Sequence, residues 1–326
     1  MAASALQLRR LLDRLPVPRG ELRTDVPLAK GTWFRVGGSA EVLFRPQDLD
    51  DLIEFLKAKP AEVPVTVLGA GTNVLIRDGG IDGVVVRLGK SLAGIRVEDD
   101  QIIAGGAAMD VSVARAAAAA DLAGLEFLSG IPGTIGGAVR MNAGAYGREL
   151  QDVIVSAEVV DPRGNRHVLK RPELGLGYRA CAVPEAWIFV SATLRGSKGS
   201  SEGIEAGMAS VQAARADSQP IRSKTGGSTF ANPVGPEAAG AKAWELIDQA
   251  GCRGLRHGDA IVSNLHCNFL VNNGSATAAD LEALGEEVRR RVAETSGVVL
   301  RWEIRRIGKH GRTVSAQAST ERDDPS

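Results

Sequence analysis

Two loops crowded with glycine carry the clearest chemical signal in this chain: LGAGTNVLI at 68–76 and SGIPGTIGGAVRMNAGAYG at 129–147. Backbone without side chains lets its N–H groups approach a ligand closely, and successive N–H groups in a turn can form a nest for a pyrophosphate. Three readings compete. Gly69-Ala70-Gly71 after the strand VTVL could open a dinucleotide-binding fingerprint, in which phosphate meets the N-terminus of a helix. The residues that follow, NVLIRDGGIDGVVV, are β-branched and continue as strand, so no helix dipole is expected there. The second reading is a strand–turn–strand loop whose backbone wraps a pyrophosphate. The third is a pair of tight turns without a ligand, and the presence of two such loops, one containing GIPGTIGG, weighs against it.

The elements that must hold these loops are read from periodicity. LQLRRLLDRL has leucines at helical spacing and stops at Pro16. From Trp33 the texture is strand: TWFRVGG, AEVLFRP, VPVTVLGAG, NVLIRDGGIDGVVVRL and IRVEDDQIIAGG. DLDDLIEFLKAK is a helix with acids in its first turn and Lys57 and Lys59 in its last. ARAAAAADLAGLEFL is a second helix by propensity. VIVSAEVVDPRGNRHVLK is a hairpin turning at PRGN, and AWIFVSATLRG is a further strand. The small, polar SKGSSEG at 197–203 reads as a linker. Beyond it come the helices GIEAGMASVQAARADS and AKAWELIDQAGC, the strand pair AIVSNLHCNFLVN, and TAADLEALGEEVRRRVAETSG, a helix with a Thr cap. The fold class is α+β with several sheets. The expected division is a lead-in with an N-terminal helix at 1–32, a domain at 33–199 in two parts (33–90 and 91–199), a second domain at 204–299, a closing strand at 300–308, and a polar tail at 309–326 expected to be disordered.

Composition narrows the function classes. Lys plus Arg and Asp plus Glu are both 39, so the formal net charge is zero. That argues against nonspecific nucleic-acid binding, which needs a basic excess. Glycine makes up 39 of 326 residues, above the usual share of about 7%. Cys181, Cys252 and Cys267 are odd in number and form no CxxC pair, so neither a disulfide framework nor a metal site is expected. The N-terminus lacks the apolar run of a signal peptide, and VSVARAAAAADLAGLEFL carries Arg115, Asp121 and Glu126, too polar for a membrane span. A cytoplasmic location without membrane insertion is the expectation.

The runs RVGGSAEVLFRP, VLGAGTNVLIRDGGIDG, SGIPGTIGGAVRMNAGAYGREL, LGLGYRA, GGSTFANP, HCNFLVN and WEIRRIG occur in the order seen in the MurB family. Over roughly residues 20–308 the chain resembles these UDP-N-acetylenolpyruvoylglucosamine reductases of bacterial cell-wall synthesis. The resemblance implies a two-part FAD-binding domain of the vanillyl-alcohol oxidase / p-cresol methylhydroxylase type and a C-terminal α+β substrate-binding domain. It also implies NADPH as reductant and UDP-N-acetylglucosamine enolpyruvate as substrate. Flavin contacts map onto Arg35, Val36, Gly37 and Gly38, onto Gly69, Ala70, Gly71, Thr72 and Asn73, and onto Gly130, Ile131, Pro132, Gly133, Thr134, Gly136 and Gly137. A branched side chain at Gly133 or Gly136 is expected to fill space needed by the pyrophosphate.

The same resemblance assigns Ser228 as proton donor and Arg179 as the grip on the substrate carboxylate. Glu303 orients the developing enolate or donates a hydrogen bond to it, and alternation in RWEIRRIG puts it on the polar side of a strand. Tyr178, Arg215, Lys224, Asn232 and His266 are the candidate substrate contacts. Arg215 and Lys224 could equally sit in water, Asn232 could merely shape the turn before Pro233, and a lone strand His such as His266 is more often a core hydrogen-bond partner. Tyr146 packs over the flavin region or is ordinary core. Ala231 stands where many relatives carry lysine, and Asp259 where a small residue is common. No long insertion bearing a capping tyrosine is found, which favours the shorter second type of the family. All four histidines and all three cysteines lie outside the two loops, so the flavin is expected to be noncovalent. A monomer is expected. The alternatives are another FAD-dependent oxidoreductase on the same scaffold, which would carry a covalent flavin anchor, and a noncatalytic flavin- or nucleotide-sugar-binding module.

Overall fold

The first sheet places Glu21–Pro27 (β1) antiparallel to Ser39–Arg45 (β2). The protein is described by a computed structural model covering residues 11–234 and 240–311. Half of the N-terminal helix and nearly all of the tail expected from the sequence lie outside those residues. Leu49–Ala58 (α1) follows β2, and its cap, Asp48, accepts a hydrogen bond from the Asp51 N–H. Its apolar face lies on the sheet, with Phe55 stacked on Phe44 at 4.1 Å between ring centroids. Val65–Val67 (β3), Val74–Ile76 (β4) and Ile81–Val86 (β5) follow, giving the order β1-β2-β5-β3. No helix follows Gly69–Gly71, as the β-branched residues beyond them require.

A second, antiparallel sheet is built from Ile95–Glu98 (β6), Gln101–Gly105 (β7), Ile154–Val160 (β8), Arg166–Lys170 (β9) and Ile188–Arg195 (β10). Its order is β9-β8-β10-β7-β6, and β8 and β9 form the hairpin expected around PRGN. Asp110–Ala119 (α2) is shorter than the helix propensity suggests. Asp121 at φ 54° and Gly124 at φ 96° take left-handed conformations that end it, and Leu122–Ala123 then pairs with Ser197–Lys198. Within the second glycine-rich stretch, read from sequence as loop, Ile135–Arg140 forms a short helix (α3).

SKGSSEG is not a free linker. Ser197–Lys198 is strand, and Ser200 caps Ser201–Ser218 (α4) by accepting from the Gly203 N–H. Ile204 and Met208 of α4 are buried in one core with Ile102, Val113 and Leu128, so this helix packs with the preceding unit. The next unit comprises Ala243–Gln249 (α5), Ala260–Val262 (β11), Leu270–Asn272 (β12) and Ala278–Ser296 (α6). The Thr277 hydroxyl caps α6, and Leu281, Leu284, Val288 and Val292 form its buried face.

The expected closing strand is reduced to Arg305–Ile307 (β13), parallel to β4. Ahead of it, Leu300 and Ile304 enter the second unit's core together with Phe34, Val36 and Leu75 from the first. Asp78 reinforces this junction by accepting N–H groups of both Ala278 and Ala279 at 3.0 Å, and Arg77 pairs with Glu282 at 3.0 Å. The two units therefore share a core and a helix cap, which fixes the cleft between them.

Candidate active site

The cleft runs between the units as two adjoining chambers of about 440 and 720 Å³ that share Gly69, Ala70, Thr134, Gly137 and Arg140. Both glycine loops form its walls. The glycines divide by what a side chain would meet. At Gly136 a Cβ would lie 3.0 Å from the Gly106 carbonyl oxygen and 3.2 Å from that of Phe189; at Gly71, where φ is +71°, it would lie 2.5 Å from the Gly31 carbonyl oxygen. Those two glycines permit protein–protein packing. At Gly137 the nearest atom is Thr134 Oγ1 at 3.7 Å, and at Gly69 the same atom at 3.0 Å, so these two open onto the cleft.

Arg35, Gly37 and Gly38 do not line either chamber. The Arg35 guanidinium donates to the Lys30 carbonyl. A Cβ at Gly37 would lie 2.5 Å from the Ile76 carbonyl oxygen, and one at Gly38 2.4 Å from that of Asp78. The smallness of the two glycines is explained by close packing on the end of β4 and the segment after it. Val36 is core. Their neighbour Trp33 lines both chambers instead.

Ser228, Arg179 and Glu303 converge on the first chamber from three distant segments. Ser228 follows Gly226, where a Cβ would lie 2.3 Å from Phe34 Cε2, and Gly227 at φ 83°. Arg179 sits at the tip of a two-residue turn closed by reciprocal Gly177–Ala180 hydrogen bonds of 3.0 Å. Its φ of 53° is a conformation that such turn positions normally reserve for glycine, so the arginine is held there against a backbone cost. Wholly buried Asn142 braces this turn, donating to the Gly177 carbonyl at 3.0 Å and to Glu149 at 2.9 Å.

Glu303 is not a solvated strand carboxylate: its side chain is 12% exposed and lies ahead of β13. Arg179 Nε donates to Glu303 Oε1 at 2.6 Å. Burial nevertheless pushes the Glu303 carboxyl above its ordinary range, only partly offset by Arg179. The Glu303 N–H donates to the Thr229 carbonyl at 2.8 Å, and its own carbonyl accepts from Asn73 Nδ2 at 3.2 Å. Asn73, expected as a flavin contact, thus also ties Glu303 to the first glycine loop.

The remaining candidates separate. Arg215 lines the cleft with its guanidinium 5.7 Å from the Trp33 ring centroid. The Tyr178 hydroxyl accepts the Asn232 N–H at 3.3 Å, while Asn232 Oδ1 accepts the Ala243 N–H at 3.0 Å and so shapes the entry to α5. Exposed Lys224 donates to the Gly274 carbonyl and lies off the cleft. His266 also lies off it, its ring 4.8 Å from that of Phe269 and its Nδ1 accepting the Asn268 N–H at 3.3 Å. Tyr146 is not core: it is 47% exposed and lines the cleft. Arg140 was not singled out by sequence; it lines both chambers while donating to the Pro184 and Trp187 carbonyls at 3.1 and 2.7 Å.

Residues 219–307 match the family model described as UDP-N-acetylenolpyruvoylglucosamine reductase, C-terminal domain, and residues 40–170 match that of an FAD binding domain. Over 296 residues the chain is 60% identical to the UDP-N-acetylenolpyruvoylglucosamine reductase of Paramagnetospirillum magneticum, spanning 91% of this chain and 95% of that one. The chain belongs to the UDP-N-acetylenolpyruvoylglucosamine reductase family. The Parvibaculum lavamentivorans reductase is 58% identical over 308 residues, 94% of this chain and 97% of its own. The solved MurB structure from Thermus caldophilus superposes with a TM-score of 0.74 at 36% identity, covering 89% of this chain and 99% of that one.

The reductase family's FAD fits the residues present. Bare backbone at Gly69 and Gly137 lines the cleft, and among the described residues three buried side-chain oxygens beside the second loop have no protein partner. Gly133 and Gly136 are poor probes of that fit, because a Cβ would strike Asp110 Oδ2 at 2.8 Å or the Gly106 carbonyl oxygen at 3.0 Å whether or not FAD is present. Gly137→Val isolates cofactor proximity. Valine is a better helix former than glycine, and a Cβ there meets only Thr134 Oγ1 at an ordinary 3.7 Å, so the apoprotein should fold normally. Its FAD affinity should fall by roughly tenfold or more, the consequence of overpacking a filled site. Flavin absorbance per chain after purification checks this, and undiminished flavin content would place the cofactor away from α3.

Proposed function

We propose that the protein reduces UDP-N-acetylglucosamine enolpyruvate to UDP-N-acetylmuramate for peptidoglycan synthesis, with Ser228, Arg179 and Glu303 as its catalytic residues and NADPH as reductant. The observation that carries this reading is the convergence of Ser228 and the 2.6 Å Arg179–Glu303 pair on the cleft walled by both glycine loops. When bound, FAD supplies an acceptor for the NADPH hydride and a donor of hydride to the enolpyruvyl group. Hydride arrival at the terminal carbon leaves carbanion character at its neighbour, delocalised into the carboxylate. Arg179 stays charged throughout and offers a planar donor set to that carboxylate. Glu303, paired with Arg179, orients the developing enolate or, when protonated, donates a hydrogen bond to it; burial raises its carboxyl and so favours the second role. Ser228 protonates the carbon; a hydroxyl is a weak acid but sufficient against a carbanion. Arg215, which lines the cleft, is the proposed contact for the substrate's diphosphate; Tyr178 and Asn232 bond to each other but line neither chamber.

Among the described residues no histidine or cysteine lines either of the two chambers, which supports noncovalent FAD. Cys181, Cys252 and Cys267 are free thiols, in keeping with a reducing cytoplasm. No helix among the described residues is long and apolar enough to cross a membrane. Anaerobic spectroscopy tests the reading: NADPH should bleach the flavin band and the enolpyruvyl nucleotide should restore it. Restoration by oxygen alone, with no response to that substrate, would leave only a flavin-dependent oxidoreductase of another kind.

A further inference from the structure

Among the described residues, only three buried side-chain atoms lack a hydrogen-bond partner: Oδ1 and Oδ2 of Asp110 and Oγ of Ser129. Both residues adjoin one loop, the turn at Gly130–Thr134 that walls the cleft. Asp110 begins α2 and is wholly buried. An acid at a helix start ordinarily finds N–H groups to accept from, and this one finds none. Its own N–H donates to the Gly133 carbonyl at 3.1 Å, which locks the acid to the loop. A Cβ at Gly133 would lie 2.8 Å from Asp110 Oδ2, so the missing side chain leaves room for the carboxyl immediately behind the cleft wall. Native folds retain few orphaned buried polar groups, and one kept beside a ligand cleft calls for a partner from outside the chain.

We propose that Asp110 is a cofactor-binding residue whose carboxyl hydrogen-bonds a polar group of FAD through the gap at Gly133. The proposal rests on FAD occupying this cleft. Burial holds the Asp110 carboxyl well above the usual carboxylate range, which favours the protonated acid, able to donate as well as accept. That versatility suits a dinucleotide, which presents hydroxyl, imide and phosphate groups along its length. The apoprotein then carries the unpaired carboxyl as a defect that FAD relieves. Removing the carboxyl should therefore move apoprotein stability and FAD affinity in opposite directions, which a purely structural residue would not do.

The test uses apoprotein of the wild type, Asp110→Asn and Asp110→Leu, each melted alone and then titrated with FAD by flavin fluorescence. Asp110→Leu should melt at or above the wild-type temperature and bind FAD roughly ten- to a hundredfold more weakly. Asp110→Asn keeps a donor and an acceptor and should bind within about threefold of wild type. Wild-type affinity in Asp110→Leu would overturn the proposal, as would an Asp110→Leu apoprotein that melts well below wild type, since the carboxyl would then be supporting the fold. Failure of the wild type itself to bind FAD is a different result, and it would overturn the cofactor assignment on which the proposal rests.

Discussion

Ser228→Ala should be reduced by NADPH at a near-normal rate and then be reoxidised by the enolpyruvyl nucleotide roughly 10² to 10⁴ times more slowly, the usual loss when a general acid is removed. The asymmetry follows from the chemistry. Accepting hydride from NADPH leaves no carbon to protonate, whereas delivering it to the enol ether leaves a carbanion that must find a proton. Ser228 lines the cleft after two glycines, with Gly227 at φ 83°, so removing its hydroxyl leaves the backbone path intact. Rapid mixing at the flavin band resolves both halves in one instrument. Equal slowing of the two halves would make the serine structural, and unchanged reoxidation would remove it from the chemistry.

Arg179→Lys should likewise spare NADPH oxidation, but it should slow reoxidation and raise the apparent substrate constant together. Lysine keeps the positive charge and loses the planar, multidentate grip, so part of the loss appears in the ground state and part in the transition state. A charged hydrogen bond lost from a buried site is worth about 1.5–3 kcal/mol, which corresponds to roughly ten- to a hundredfold in the combined parameter. The backbone is not the cause, because lysine at φ 53° bears the same cost as arginine. The contact at stake is the 2.6 Å bond to largely buried Glu303, together with the proposed grip on the substrate carboxylate. An unchanged substrate constant with slowed reoxidation would confine Arg179 to the transition state, and loss of the NADPH half would assign it to holding the cleft open.

Much of the fold is encoded at short range, where sequence can be read. β-branched residues after Gly69–Gly71 dictated strand and excluded a phosphate-binding helix there, and Thr277 marked the start of α6 by its capping chemistry. Motif order located Ser228, Arg179 and Glu303 without any structure. What the sequence could not determine are quantities set by residues far apart in the chain. Glycine at 136, 37 and 38 looks the same on the page as glycine at 137, yet a side chain at the first three would strike protein backbone, whereas at the last it would meet only Thr134 Oγ1 at 3.7 Å. Alternation placed Glu303 on a polar face, but its burial is set by distant segments such as β13 paired with β4, and that burial raises its carboxyl against the opposing pull of Arg179, 124 positions away. SKGSSEG has linker composition, yet pairing with Leu122–Ala123 and burial of Ile204 tie it to the preceding unit. Asp110 is an unremarked acid at a helix start until the fold surrounds it and supplies no partner. Local preference is written in neighbouring residues, whereas desolvation and close approach arise only when distant segments meet.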